Sequence, residues 1–217
     1  MKNDALRASV LSVKIVSNID SAMAENFKLK PEHKSIGILT TDLDDVSYTA
    51  LDDATKKADI DVVYAKSFYG GAVNSNSKLA GEFIGIIAGP NPAEVRSGLS
   101  AAIDFINNDA CFYSVNDDDS ICYYAHTISR SGSYLSETAG IKEGEAIAYL
   151  IAPPIEAMYA LDAALKAADV KMVAFYGPPS ETNFGGGLMT GSQSACKAAC
   201  EAFKNAVTFV AENPMEY

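Results

Sequence analysis

Hydrophobic and polar positions change period along the stretch Ala146–Gly177, AIAYLIAPPIEAMYALDAALKAADVKMVAFYG. Ile147–Ile151 is a short apolar run, a Pro-Pro break follows, and then Leu161, Ala164, Leu165 and Ala168 recur at i, i+3, i+4 and i+7. That spacing puts one apolar stripe along a helix. The flanking runs, Ile147–Ile151 and Val170–Tyr176, are short and rich in β-formers, so they read as strands. Strand–helix–strand of this length is a βαβ unit whose two strands can share one sheet.

The same pattern stands earlier, in SIGILTTDLDDVSYTALDDATKKADIDVVYAKSF, Ser35–Phe68. Leu39 answers Leu150, Tyr48 answers Tyr159, Leu51-Asp52 answers Leu161-Asp162, and Ala58-Asp59-Ile60 answers Ala168-Asp169-Val170. The chain therefore reads as two copies of one unit about 110 residues apart, close to the size of one small domain. Ser9–Ile19 predicts an opening strand, and a connecting segment closes at Lys30-Pro31. Gly81–Ala88 predicts a strand and GPNPAEVRSGL a helix start, with Asn91 as cap, Pro92 at the first helical position and Glu94 completing a capping box. Its stripe, Val95, Leu99, Ala102 and Ile106, returns about 100 residues on as Cys196, Cys200, Phe203 and Val207, with Ser192 as cap. Cys111–Arg130 predicts a hairpin around the acidic turn Asn116–Asp119, equivalent to Ser9–Ile19. The prediction is an α+β chain of two tandem domains, residues 1–108 and 109–217, each a mainly antiparallel sheet with helices packed on it.

Composition narrows the function classes. The 217 residues are 48% hydrophobic and 21% charged, a globular balance. No apolar run approaches the roughly 18 residues of a membrane span. The start, MKNDALRASV, lacks a signal-peptide apolar core and predicts a cytosolic protein. A net charge of −11 argues against nucleic acid and suits a cationic small molecule. None of the four cysteines forms a CxxC pair, so no zinc or redox motif is signalled. Cys196 and Cys200 read as small core residues, and Cys111 and Cys122, which could face each other across the hairpin, as thiols. The only histidines, His33 and His126, make no triad or metal set with their neighbours. No catalytic residue, required cofactor or metal is predicted.

The second copy, AIAYLIAPPIEAMYALDAALKAADVKMVAFY, resembles the bacterial microcompartment shell fold. In that family's common form the last strands follow the second helix; here the matching strands would precede each unit, which makes a permuted version duplicated in tandem. TTDLDDVSY, IAGPNPAEVR, SRSGSYLS, APPIEAMYALDAALKAADV, PPSETNF and LMTGSQSACKAAC together resemble the tandem-domain shell proteins of ethanolamine-utilisation microcompartments, from about Ser9 to Asn213. The resemblance implies a structural protein and not an enzyme. It implies a homotrimer that imitates a hexagonal tile, packs with other shell proteins in a shell within the cytoplasm, and has a central channel that opens and shuts. It also implies small acidic pores for ethanolamine, matching Asp44, Asp45, Glu82 and Phe112. The gate would be the loops Phe68–Lys78, with Phe68, Tyr69, Gly70 and Gly71, and Gly177–Gly187, with Thr182, Asn183, Phe184 and Gly185. Lys56 and Lys166 match the tile-edge lysine. The open channel would admit a large corrin cofactor, cobalamin.

Ethanolamine is an ammonium ion at neutral pH, and carboxylates are what a narrow cation passage uses. Asp42, Asp44 and Asp45 stand at a strand-to-helix break, where they also read as an acidic helix start in a solvated turn. Pro153-Pro154-Ile155-Glu156 replaces them in the second copy, so only the first suits a cation. Gly70-Gly71 and Gly185–Gly187 supply backbone freedom to gate loops or to plain surface turns, and no phosphate loop is formed because Gly-Lys-Ser/Thr is missing. Asp117-Asp118-Asp119 reads as a solvated turn and lacks EF-hand spacing. A soluble ligand-sensing α+β oligomer with no lattice is the rival reading, separated from a tile by the absence of sheet-like assemblies.

Overall fold

The computed structural model describes residues 4–68 and 79–216. In chain order the elements are β1 (Ala5–Leu6), β2 (Val10–Ser17), α1 (Ser21–Asn26), β3 (Ser35–Thr41), α2 (Asp44–Thr55), β4 (Asp61–Ser67), β5 (Phe83–Gly89) and α3 (Pro92–Asn108). There follow β6 (Phe112–Ser114), β7 (Cys122–Ile128), α4 (Ser133–Ala139), β8 (Ala146–Ala152), α5 (Pro154–Ala167), β9 (Val170–Tyr176), β10 (Gly185–Gly191) and α6 (Gln193–Glu212). They form two compact units. The first runs from Arg7 to Ala110 and includes Gly132–Leu135; the second takes Cys111–Ser131, the chain from Ser136 on, and the short N-terminal strand β1. The passage between units thus falls at Ala110–Cys111, and two short segments lie on the far side of it from their sequence neighbours.

The first unit holds a four-stranded sheet in the order β2-β3-β5-β4, every pairing antiparallel. The strand–helix–strand reading of Ser35–Phe68 is right in its elements, but β3 and β4 are not neighbours: β5 lies between them and pairs with both. Helices α2 and α3 bury Val46, Ala50, Leu51 and Ala54, and Val95, Leu99, Ala102 and Ile106. The predicted stripe of α3 is entirely inside. Asn91 caps α3 by accepting from the N–H groups of Ala93 and Glu94 at 2.9 and 3.0 Å. The capping box is not closed, because Glu94 accepts the Asp59 N–H at 2.9 Å instead and ties the helix to the turn before β4. The connecting segment contains the short α1, capped by Asp20, which sequence periodicity does not reveal in six residues.

The second unit repeats the plan with an extension. Its sheet runs β1-β6-β7-β8-β10-β9, all pairings antiparallel. Here β7 pairs with β8 as β2 pairs with β3, and the hairpin partner β6, flanked by β1, is additional. All seven residues of β8 are buried. Cys196, Ala199, Cys200, Phe203 and Val207 of α6 pack with Ala157, Ala160, Leu161 and Ala164 of α5 over Ala148 and Leu150. Cys122 pairs with Ser114, and Cys111 precedes β6, so the two cysteines do not oppose each other across the hairpin. All four cysteines are free thiols, and burial pushes Cys122 and Cys200 up to about 11.

The buried positions set the register of the repeat. Ser47, Ala50, Leu51 and Ala54 of α2 answer Ala157, Ala160, Leu161 and Ala164 of α5. Leu51-Asp52 answers Leu161-Asp162 as predicted, but Tyr159 falls opposite Thr49 and not Tyr48.

Candidate functional site

The acidic residues singled out in the first unit stand around the junction of β3, α2 and β5. Helix α2 starts at Asp44 after Leu43, whose side chain makes no cap bond, so the helix end relies on Asp44 itself: its Oδ1 accepts the Asp45 N–H at 2.9 Å. Carboxylates in a first helical turn also face the positive end of the helix. Asp44 and Asp45 are 8% and 6% exposed, which replaces the solvated turn with two buried acids. Asp42 accepts the Ser9 N–H at 2.6 Å. Glu82 is brought alongside by backbone pairing: its N–H donates to Thr41 O at 2.8 Å, and its carbonyl accepts from Phe68 N–H at 3.0 Å. Burial, followed by the charges of Asp44 and Asp42, raises the Glu82 carboxyl above its ordinary value. Three acids are therefore within electrostatic reach of one another, with Asp45 beside them.

Tyr48, one turn into α2, reports the same field. Burial, reinforced by Asp44 and Asp45, pushes its phenol up to about 12 against the opposing Ser67 hydrogen bond at 2.8 Å. Its ring packs edge-on to Phe83 and stacks on Tyr134. A neutral phenol with aromatic partners thus stands within electrostatic reach of the acidic junction.

Ionised Glu82 in this setting costs stability. The folded chain holds its proton more tightly than the unfolded chain, so the cost is present above the folded pKa and absent below the unfolded value of about 4.3. Glu82→Gln is expected to raise the thermal midpoint by a few degrees at neutral pH. That advantage should shrink as the pH falls through the folded pKa; a constant difference down to acid pH would contradict the coupling.

One residue of this unit escapes sequence reasoning. Asp52 is fully buried. Its Oδ2 accepts the Gly132 N–H at 2.7 Å and its Oδ1 the Leu135 N–H at 2.8 Å, while Thr55 Oγ1 accepts the Ser133 N–H at 3.1 Å. Burial raises the Asp52 carboxyl despite these donors and the nearby Lys56. A Cβ at Gly132 would come within 2.4 Å of Asp52 O, so the contact requires glycine. The signal available in sequence was the repeated Leu-Asp pair, which does not say that only one copy is buried.

The remaining predicted positions are distributed. Phe112 lies in the second unit, buried, against Tyr124 and Phe184 with ring centroids at 5.3 and 5.9 Å. Phe68 follows β4; Tyr69, Gly70 and Gly71 lie outside the described residues. The second loop is held by its own bonds: Ser180 N–H to Phe184 O at 2.7 Å and Asn183 N–H to Ser180 O at 3.0 Å, with Asn183 at φ 68° and Thr182 beside Ser180. It ends at Phe184. Gly185, Gly186 and Gly187 are not loop hinges; they open β10 and are buried between β8 and β9. A Cβ on Gly186 would fall 1.9 Å from Leu150 O, so small size, not free rotation, is what that position needs. Lys56 sits at the α2 C-cap, 3.0 Å from Asp53, and Lys166 on exposed α5 pairs with Asp162.

His33 is buried with Nε2 3.1 Å from Asp61, and His126 stacks on Tyr124. Among the described residues no group of three or more His, Cys, Asp or Glu side chains is placed to hold a metal ion, and no helix is long and apolar enough to cross a membrane.

Residues 35–116 match the BMC domain family. The chain is 66% identical to the bacterial microcompartment shell protein EutL of Clostridium perfringens over the whole length of both. It is 48% identical to EutL of Salmonella typhimurium, covering 98% of this chain and 97% of that one. The crystal structure of ethanolamine utilization protein EutL from Leptotrichia buccalis superposes with a TM-score of 0.98 at 71% identity, covering all of both chains.

Proposed function

The chain belongs to the EutL family of bacterial microcompartment shell proteins, and from that premise we propose that three copies form a pseudohexameric tile whose first units each hold a small acidic site that binds or passes ethanolamine. The family is structural, so the work done is binding and passage, with no bond made or broken. The observation that carries the reading is the pair of buried acids Asp44 and Asp45 at the start of α2, with Glu82 brought alongside by its backbone bond to Thr41; the raised carboxyl of Glu82 agrees with that crowding. An ammonium group relieves this repulsion, and the energy released is affinity. A hydroxyl at the far end of so short a cation would find acceptors in the same carboxylates. The Leptotrichia relative is an ethanolamine utilization protein, which makes ethanolamine the cation we propose.

The tile would pack with other shell proteins, its helix-end lysines Lys56 and Lys166 at the edges. The loops after β4 and β9 would border a central gate wide enough, when open, for cobalamin. The bonds within Ser180–Phe184 and the Phe184–Phe112 contact favour a formed loop over a loose one.

Calorimetric titration of ethanolamine tests the site. Saturable binding is expected, weakened about tenfold or more in Asp45→Asn and in Glu82→Gln, since each loses one charge contact worth about 1.4 kcal/mol. Absence of binding in the parent chain, or equal affinity in all three, would return the acidic junction to a purely structural role.

A further inference from the structure

Helices α1 and α4 are internal counterparts. Val16 of β2 pairs with Ile36 and Ile128 of β7 pairs with Ile147, and the fifth residue onward in each case, Ser21 or Ser133, opens the helix. Gly132 then answers Asp20, and Leu135 answers Met23. In the first unit the start of α4 is seated on α2 through Asp52 and Thr55, and Leu135 is buried. By the register of the buried positions, the matching face of α5 carries Ile155, Tyr159, Asp162 and Leu165 where α2 carries Asp45, Thr49, Asp52 and Thr55. On α2, Asp45, Thr49 and Asp52 are buried. On α5 the four are open: Ile155 is 72% exposed, Tyr159 52%, and the Asp162 side chain 62%. Helix α1 buries none of its residues, and Met23 is 47% exposed. The helix-on-helix contact is thus made on α2, while its two counterparts, the α5 face of the second unit and the helix α1 of the first, are both uncovered.

We propose that α1 of a second copy docks on the exposed face of α5, with Met23 in the place that Leu135 takes on α2. The side chains fit this substitution. Gly132 allows a close approach, which the Cβ of Asp20 would block, so α1 must stand further off. Tyr159, Ile155 and Leu165 are larger and more apolar than Thr49, Asp45 and Thr55 and fill the wider gap. Tyr159 is already fixed by stacking on Phe209, with ring centroids at 5.9 Å, and Phe209 widens the apolar surface. Exposed apolar clusters of this kind mark protein contacts. Each copy offers one α1 and one α5 face, so the contact closes as a reciprocal pair, closes as a larger ring, or runs on as a filament. The inference rests on the trimer reading above, in which the ring closes at three copies.

The test places cysteines at Met23 and Asp162 in a chain whose half-buried Cys122 is replaced by serine, adds a short bis-maleimide, and compares the double variant with each single one. Linked dimers and trimers are expected on a denaturing gel from the double variant alone. Sedimentation runs beside it, where Tyr159→Glu is expected to shift trimer to monomer and Tyr159→Phe to leave it. A parent chain that sediments as a trimer, with a double variant that stays unlinked, would overturn this contact and leave the tile standing. A parent chain that is monomeric at all concentrations would overturn both.

Discussion

Asp52→Ala is expected to lower the stability of the chain by about 3 kcal/mol, or roughly 6–12 °C in thermal midpoint for a protein of this size. The carboxylate accepts two buried backbone N–H groups, from Gly132 and Leu135, at 2.7 and 2.8 Å. Alanine leaves both without an acceptor, and each unsatisfied buried donor costs about 1–3 kcal/mol. The buried ion itself is unfavourable, as its raised carboxyl indicates, which holds the net loss below the sum of the two penalties. Asp52→Asn retains one acceptor oxygen but turns an amide N–H₂ toward the other donor, so an intermediate loss is expected. Asp162→Ala is the internal control. Asp162 occupies the same place in the repeat but within the chain pairs only with exposed Lys166, so in samples dilute enough to be monomeric its removal should change stability by less than about 0.5 kcal/mol. Calorimetry at one fixed protein concentration reads all three, because assembly shifts the apparent midpoint. Equal losses for Asp52→Ala and Asp162→Ala would contradict the tether.

The same pair of aspartates marks what sequence could and could not reveal. The stripes of α3 and α6, the strands flanking α2 and α5, and the caps Asn91 and Ser192 all follow from spacing within a single element, and each was legible. Features that depend on what arrives from elsewhere were not. Leu51-Asp52 and Leu161-Asp162 read alike, yet one aspartate is buried because Gly132–Leu135 lies against it and the other is bare. Glu94 sits at capping-box spacing but serves Asp59, a partner 35 positions away. Gly185–Gly187 has the composition of a loop, and only strand pairing on both sides explains it as sheet. The acidic junction is intermediate. Asp44 and Asp45 stood out by charge and Glu82 by resemblance, but their meeting is a consequence of the β3–β5 register, which pairs Thr41 with Phe83 and so carries half-buried Glu82 to the start of α2.

That register has its own weak point, one residue before Glu82. Gly81 has φ 71°, in the left-handed region, and a Cβ there would fall 2.0 Å from Thr41 O. Thr41 O is also the acceptor of the Glu82 N–H. Gly81→Ala therefore combines a left-handed alanine, about 1–2 kcal/mol, with a collision against a backbone carbonyl that has no rotamer to escape into. A total loss of about 3 kcal/mol is expected. Asn tolerates the left-handed region better than Ala, but its Cβ meets the same oxygen, so Gly81→Asn should recover only the dihedral part. The two effects separate function from stability. Whatever relieves the collision must move Glu82 away from Thr41, so in samples still folded at the assay temperature the ethanolamine affinity should fall by about as much as in Glu82→Gln, tenfold or more. A folded Gly81→Ala chain that binds ethanolamine as the parent does would mean that Glu82 is not held by this turn, and that the acidic site is assembled without it.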